Sequence, residues 1–143
     1  MPDHPDSADR YILDDQVGFL MRRANQRHLA LFARDIPDLT PTQFAALARL
    51  CQLGGASQNA LGRATAMDAA TIKGVVDRLR HRGLVTATPD PDDRRRVRLV
   101  PTATGRSLFA ACAPAASGVS RTTLAPLTTQ EQSRFLALLA KLA

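Results

Sequence analysis

Arg94, Arg95, Arg96 and Arg98 follow directly on the turn-forming run Pro89-Asp90-Pro91-Asp92-Asp93. Guanidinium groups this dense on a short loop suit phosphate oxygens and base edges, which they meet with paired N–H donors. Just upstream, the segment Asp68 to Gly83 carries Thr71, Lys73, Arg78, Arg80 and Arg82. From Lys73 to Arg98 eight basic residues stand against four acids, so this window holds +4 of the formal net charge of +6. The first 39 residues hold five arginines and seven aspartates, a balance of −2. Basicity is gathered where a polyanion could be gripped, whereas a solvated surface would spread it more evenly.

Other chemistries find little support. Cys51 and Cys112 match no metal spacing, and each sits in an apolar helical context. They read as small reduced core residues, with a redox-sensing thiol as the alternative. His4, His28 and His81 are scattered and form no zinc constellation. No nucleophile–base motif, phosphate loop or metal motif is present, so neither an enzyme nor a bound cofactor is expected. The N-terminal MPDHPDSADR lacks a signal-peptide pattern, and no apolar run reaches the roughly 18 residues that span a bilayer. A cytoplasmic protein without membrane contact is the expectation. With 143 residues, 45% of them hydrophobic, the chain can build one domain with a real core, or a small domain with dimerisation arms.

Along the chain, residues 1–10 read as a tail with two prolines and three aspartates. A helix is predicted from about Leu13 to Arg34, with Leu13, Val17, Leu20, Met21, Ala24, Leu31 and Phe32 as its apolar stripe. Thr40, Pro41 and Gln43 announce the next helix as N-cap, first-turn proline and capping-box partner, and Gly54-Gly55 stop it. A short helix follows from about Ser57 to Arg63. Asp68 then caps a helix that buries Ile72, Val75, Val76 and Leu79 and ends before Gly83. Leu84 to Thr88 and Arg96 to Val100 read as two strands around the acidic turn. Val97 and Leu99 would share one face and Arg96 and Arg98 the other. Thr102 or Thr104 opens an alanine-rich helix that Pro114 should kink or interrupt before Leu124. Thr128 and Glu131 box the start of a last helix with the stripe Phe135, Leu136, Leu139 and Leu142.

The predicted fold is mainly α with a small β-hairpin wing: a winged helix-turn-helix flanked by N- and C-terminal dimerisation helices. Residues 1–36 form the tail and first dimerisation helix, 37–101 the DNA-binding lobe, and 102–143 the C-terminal dimerisation helices. The terminal helices are longer and more apolar than a winged-helix core needs, so they should bury one another across a two-fold axis. A dimer would place two recognition helices on half-sites about one helical turn apart.

The stretches LTPTQFAALARL at 39–50, VVDRLRHRGLV at 75–85 and DPDDRRRVRLVPTATG at 90–105 resemble the MarR family of bacterial transcription regulators. The resemblance covers roughly residues 11–143. One departure is Pro101-Thr102, where the family usually has Leu-Thr; proline donates no strand hydrogen bond, so the strand should end there. YILDDQVGFLMRRANQRHLALF also looks like members that control aromatic-acid catabolism. That likeness implies a response to phenolic, nicotinic or hydroxycinnamic acids, or to their coenzyme A thioesters.

Within this frame Ala70, Thr71, Lys73, Gly74, Asp77 and Arg78 are left exposed on the recognition helix. Thr71 can bond a base or phosphate and offers a methyl to thymine. Lys73 suits guanine or a phosphate, and Gly74 would let the helix approach closely. Arg78 would seat on a phosphate, or pair with Asp77 or a wing aspartate. Ser57, Gln58 and Asn59 open the preceding helix, a natural phosphate seat. In the family this chain resembles, one wing arginine braces the hairpin against an aspartate while another enters the minor groove. Here that implies Asp93 with Arg94 or Arg95, the remaining arginine reaching DNA. Arg98 is a backbone-contact residue or a solvated charge.

The resemblance also implies that small aromatic anions bind between the dimerisation helices and the DNA-binding lobe. Helix 1, helix 2 and the start of the helix after the wing would form that cleft. Arg22, Arg23, Gln26, Arg27 and His28 on helix 1, with Phe44 and Arg49 on helix 2, are its expected ligand-binding residues. His28 could instead be a satisfied interface histidine, and any single arginine a solvated one. The expected function is a homodimeric repressor released from a pseudo-palindromic operator by an aromatic acid or its thioester. The alternatives are a cysteine-based redox sensor on the same fold and a non-specific architectural DNA binder.

Overall fold

The computed structural model describes residues 10–143; most of the expected tail, residues 1–9, lies outside the described residues. A 3-10 turn, Leu13–Asp15, precedes α1 (Val17–Asp35). The first helix therefore begins four residues later than its apolar spacing suggested. Gln16 is extended at its N-cap, and its side-chain amide donates to the Ile12 carbonyl at 2.9 Å, which closes the turn on itself.

The lobe follows as α2 (Pro41–Leu53), α3 (Gln58–Ala64), α4 (Ala69–His81), β1 (Val85–Pro89) and β2 (Val97–Pro101). Each helix start obeys local chemistry. Thr40 Oγ1 accepts from the Gln43 N–H at 3.2 Å, and Gln43 Oε1 accepts from the Thr40 N–H at 3.3 Å. Ser57 caps α3 by accepting from Ala60 N–H, and Asp68 caps α4 by accepting from Thr71 N–H. At the end of α4, the Leu84 N–H reaches the Leu79 carbonyl and the Gly83 N–H reaches that of Arg80. This Schellman closure needs the left-handed φ of +71° that Gly83 adopts without strain.

The two strands pair antiparallel from Val85 with Pro101 to Pro89 with Val97. Leu99 is buried, but Val97 lies out at the tip and is 58% exposed, so the underside of the wing is apolar only at its base. Ala56 adds a third edge by exchanging two backbone hydrogen bonds with Leu99, at 3.0 and 2.8 Å. Nothing in the local pattern around Ala56 announced that bridge.

The core of the lobe is Leu47, Leu50, Leu61, Ile72, Val76 and Leu79, all essentially sealed from solvent and joined by Ile36, Leu39, Leu84, Val85 and Leu99. Burying one such aliphatic side chain contributes about 1.5–3 kcal/mol. A strut leaves this core: Thr102 Oγ1 donates to the Gly83 carbonyl at 2.7 Å and caps α5 by accepting from Gly105 N–H at 3.0 Å. Gly105 lies so close to the Leu84 carbonyl that a Cβ there would collide with backbone. Helix α5 (Ala103–Leu124) is thus bolted to the base of the wing.

The interruption offered as one alternative at Pro114 does not occur: α5 continues through it as one helix of 22 residues. Pro114 is exposed, so the Ala110 carbonyl that loses its partner has solvent beside it, and the helix packs against α1 and α2. Helix α6 (Thr129–Lys141) starts with the anticipated capping box of Thr128 and Glu131. It buries none of its residues against its own chain, and Phe135, Leu136, Leu138, Leu139 and Leu142 remain exposed. No helix among the described residues is long and apolar enough to cross a membrane.

Candidate nucleic-acid interface

Ile72, Val75, Val76 and Leu79 turn one face of α4 into the core, which leaves Ala70, Thr71, Lys73, Gly74, Asp77 and Arg78 on the solvent side. The N-terminal end of this face is held by Asp68, whose carboxylate accepts from Thr71 N–H at 2.7 Å. That backbone hydrogen bond, the largest cause, keeps its carboxyl below the ordinary carboxylate range. Lys73 Nζ pairs with Asp77 one turn on, at 2.8 Å. An exposed pair of this kind contributes only about 0.3–0.5 kcal/mol, so Lys73 can exchange Asp77 for a phosphate at little cost. Arg78 makes no ion pair among the described residues, which leaves its phosphate role open and removes the suggested pairing with Asp77. A Cβ built on Gly74 has no neighbour within 4 Å.

Ser57 and Asn59 are exposed and Gln58 half-buried at the start of α3. The wing corrects one expectation. Asp93 is braced by Arg96, Nε to Oδ2 at 3.7 Å, rather than by the guanidinium of Arg94 or Arg95. The turn brings the third arginine back over the aspartate: Arg96 N–H donates to the Asp93 carbonyl at 2.9 Å, and Arg95 N–H donates to its carboxylate at 3.0 Å. Arg94 and Arg95 keep exposed guanidiniums without an ion pair among the described residues. Arg98 is half-buried and lies flat on Gly55, where a Cβ would strike its guanidinium. It packs beside the start of α3 instead of standing free on the strand.

The expected ligand residues do not converge. The corner between α1, α2 and the start of α5 is filled by an aromatic stack. Phe44 meets Phe32 edge-on with ring centroids 6.0 Å apart and Phe109 with centroids 5.8 Å apart. Phe44 is therefore a packing residue here. Arg27 donates to the Thr123 and Thr122 carbonyls at 2.8 and 2.9 Å, tying α1 to the end of α5. Arg23 lies over the Phe19 ring at 5.8 Å, Arg22 and Gln26 are exposed, and Arg49 faces a different surface beside α3.

An apolar groove of about 420 Å³ opens elsewhere, between α1, the second half of α5 and α6. Of the expected residues only His28 lines it; Asn25, Ser120 and Thr123 supply its other polar groups, and Met21, Phe135 and Leu139 part of its apolar wall. The Thr123 hydroxyl donates its single proton to the Val119 carbonyl at 2.8 Å. His28 Nδ1, also 2.8 Å from that oxygen, must then be the donor of their hydrogen bond. Ser120 and Thr123 were legible only as two hydroxyls three residues apart, a weak signal. Both cysteines have their thiol pKa raised, chiefly by burial.

Residues 39–97 match the model of the MarR family. Over 134 residues the chain is 42% identical to the HTH-type transcriptional repressor NicR of Pseudomonas putida, covering 92% of this chain and 85% of that one. A probable transcriptional regulator from Pseudomonas aeruginosa superposes with a TM-score of 0.89 at 54% identity, over 92% of this chain and 100% of the other. Bordetella bronchiseptica BpsR, whose DNA binding is regulated by 6-hydroxynicotinic acid, superposes with a TM-score of 0.88 at 40% identity, over 92% and 96%.

Proposed function

The chain belongs to the MarR family, and on that footing we propose a homodimeric repressor that grips a pseudo-palindromic operator and releases it on binding a small aromatic acid. The observation that carries the dimer is α6, an amphipathic helix with no buried residue and a row of exposed leucines. Such a face is unstable in water, and a second copy of the same terminal helices would cover Leu138 and Leu142, which do not line the groove. In the dimer α4 enters the major groove of each half-site, with Thr71 and Lys73 at base edges, while Arg94 and Arg95 reach from the wing tip to the adjacent minor groove. The protein then acts in the cytoplasm, where its operator lies.

The groove beside His28 is the proposed effector site. Its size suits a single aromatic ring, and its few polar groups suit orientation of a carboxylate or ring hydroxyl. A thioester would leave its coenzyme A portion outside the groove, so the free acid is preferred. NicR, by its name a repressor, and the acid-regulated BpsR support this reading. Effector binding shifts the spacing of the recognition helices only so far as it favours one arrangement over the other. Because α5 runs unbroken from the groove wall to its bolt at Gly105, movement at Thr123 would reach the wing base along one helix. A thiol sensor is disfavoured: burial raises both cysteine pKa values, opposite to the shift a reactive thiolate needs.

Anisotropy titration of the duplex upstream of its own gene, with and without a panel of hydroxylated benzoic, nicotinic and cinnamic acids and their thioesters, tests the proposal. Sequence-dependent binding relieved by one acid is expected, with His28→Ala still binding DNA but no longer released. Binding that ignores every compound would overturn the effector site, and sedimentation as a monomer would overturn the dimer.

A further inference from the structure

A hollow of about 450 Å³, sharing no lining residue with the groove, lies between α2, α3 and the turn that leads into α4. Its floor includes four alanines, and the groups around it are Arg49, Gln52, Arg63 and Thr65, with no acidic side chain in its lining. Arg49 is fixed in place: Nε donates to the Ala64 carbonyl at 3.2 Å and Nη1 to Gln52 Oε1 at 3.0 Å. Arg63, exposed in the last turn of α3, forms no salt bridge or side-chain hydrogen bond among the described residues. Two cations thus face an open concavity that no carboxylate neutralises and that the small floor residues leave unfilled.

The hollow also has a defined place. Thr65 and Ala66 connect α3 to Asp68, the cap of the recognition helix, so it sits beside the end of α4 that enters the DNA groove. The helix before a recognition helix crosses the DNA backbone. At seven residues α3 is about 10 Å long, so the hollow lies about 10 Å from the Ser57 seat and within reach of the same backbone. We infer that Arg49 and Arg63 form a second phosphate clamp, which holds the DNA backbone flanking each half-site and extends the footprint beyond the wing and recognition helix. The inference rests on the operator-binding reading above. It gives Arg49 a different partner from the aromatic anion expected from the sequence.

The test compares full-length dimers carrying Arg63→Gln, Arg63→Lys or no substitution, because Arg49 also satisfies an α3 carbonyl and its loss could disturb the fold. Each binds two duplexes, one ending at the half-sites and one extended by about half a helical turn, roughly five base pairs, at each end. On the extended duplex Arg63→Gln should make the slope of log K against log salt shallower by about 1.8, roughly 0.9 for each protomer. It should weaken operator and random DNA by the same factor, and Arg63→Lys should restore the slope. On the short duplex Arg63→Gln and the unsubstituted protein should bind alike. An unchanged slope on the extended duplex, or an equal loss on both duplexes, would overturn the clamp. If the unsubstituted protein fails to bind either duplex, it is the regulator reading that fails, a separate outcome.

Discussion

Gly74→Ala separates what α4 needs to be a helix from what it needs to meet DNA. Gly74 is inside the helix, on the exposed face, with nothing within 4 Å of an added Cβ. The methyl therefore meets no protein atom, and only backbone entropy changes. Alanine in a helix interior is favoured over glycine by about 0.8–1.0 kcal/mol, which raises the melting temperature by roughly 2–4 °C. The same methyl would stand at the closest approach to the duplex, between Thr71 and Asp77. Operator affinity should fall about tenfold, near 1.4 kcal/mol. Gly105→Ala is the control of opposite sign. Its Cβ would strike the Leu84 carbonyl, which cannot move without dragging the wing base, so a loss of about 3 kcal/mol is expected, the top of the overpacking range. Differential scanning calorimetry at one fixed protein concentration, since a dimer melts in a concentration-dependent way, and anisotropy on the same preparations would measure both effects. A Gly74→Ala protein that melts lower would refute the open-space reading of α4. One that melts higher but binds the operator unchanged would refute the close approach.

Four further outcomes follow from particular contacts. Ala66 holds a left-handed φ of +55° in the turn before α4, so Ala66→Gly should stabilise the protein by about 0.5–1 kcal/mol in urea melts; destabilisation would show that the turn is not strained. Removing both free wing guanidiniums with Arg94→Ala and Arg95→Ala should cost DNA affinity without lowering the melting temperature. Arg96→Ala should instead loosen the wing by freeing Asp93, seen as faster amide exchange at Asp90 and at position 96. Asp68 and Glu131 have carboxyls held low by N–H donors of Thr71 and Thr128, and Asp35 by its hydrogen bond to Arg34. Their support is present above the ordinary carboxylate pKa near 4 and is lost as pH falls through the lower folded values. Stability should therefore drop below about pH 4, and Asp68→Asn, which still caps, should remove its share of that drop.

The helix starts were legible because capping is a contract among residues three positions apart. Thr40 with Gln43, Asp68 with Thr71 and Thr128 with Glu131 need no distant partner, and all three appear as read. The buried stripe of α4 was legible for the same reason, since helical periodicity alone decides which four residues turn inward. The exposed face is the complement of that stripe, so the candidate interface came with it. The wing was legible in outline, but its internal pairing was not. Asp93 chose Arg96 because a tight turn returns the third residue, not the first, to the carboxylate.

What the chain determined by itself was set within a turn or two of backbone: the caps, the amphipathic faces, the acidic hairpin tip and the basic window. What only the tertiary structure decided involved residues far apart in sequence. The Ala56–Leu99 bridge, Arg98 lying on Gly55, and α5 passing through Pro114 depend on packing that no local pattern encodes. The ligand region shows this most clearly. Phe44 and Arg27 look like ligand groups by type, but Phe109 and the Thr122 and Thr123 carbonyls, distant in sequence, claim them first. His28 is left lining a groove whose other wall comes from the end of the chain. A side chain's chemistry is fixed by its type, but its availability depends on which distant groups satisfy it, and that is settled only when the helices pack.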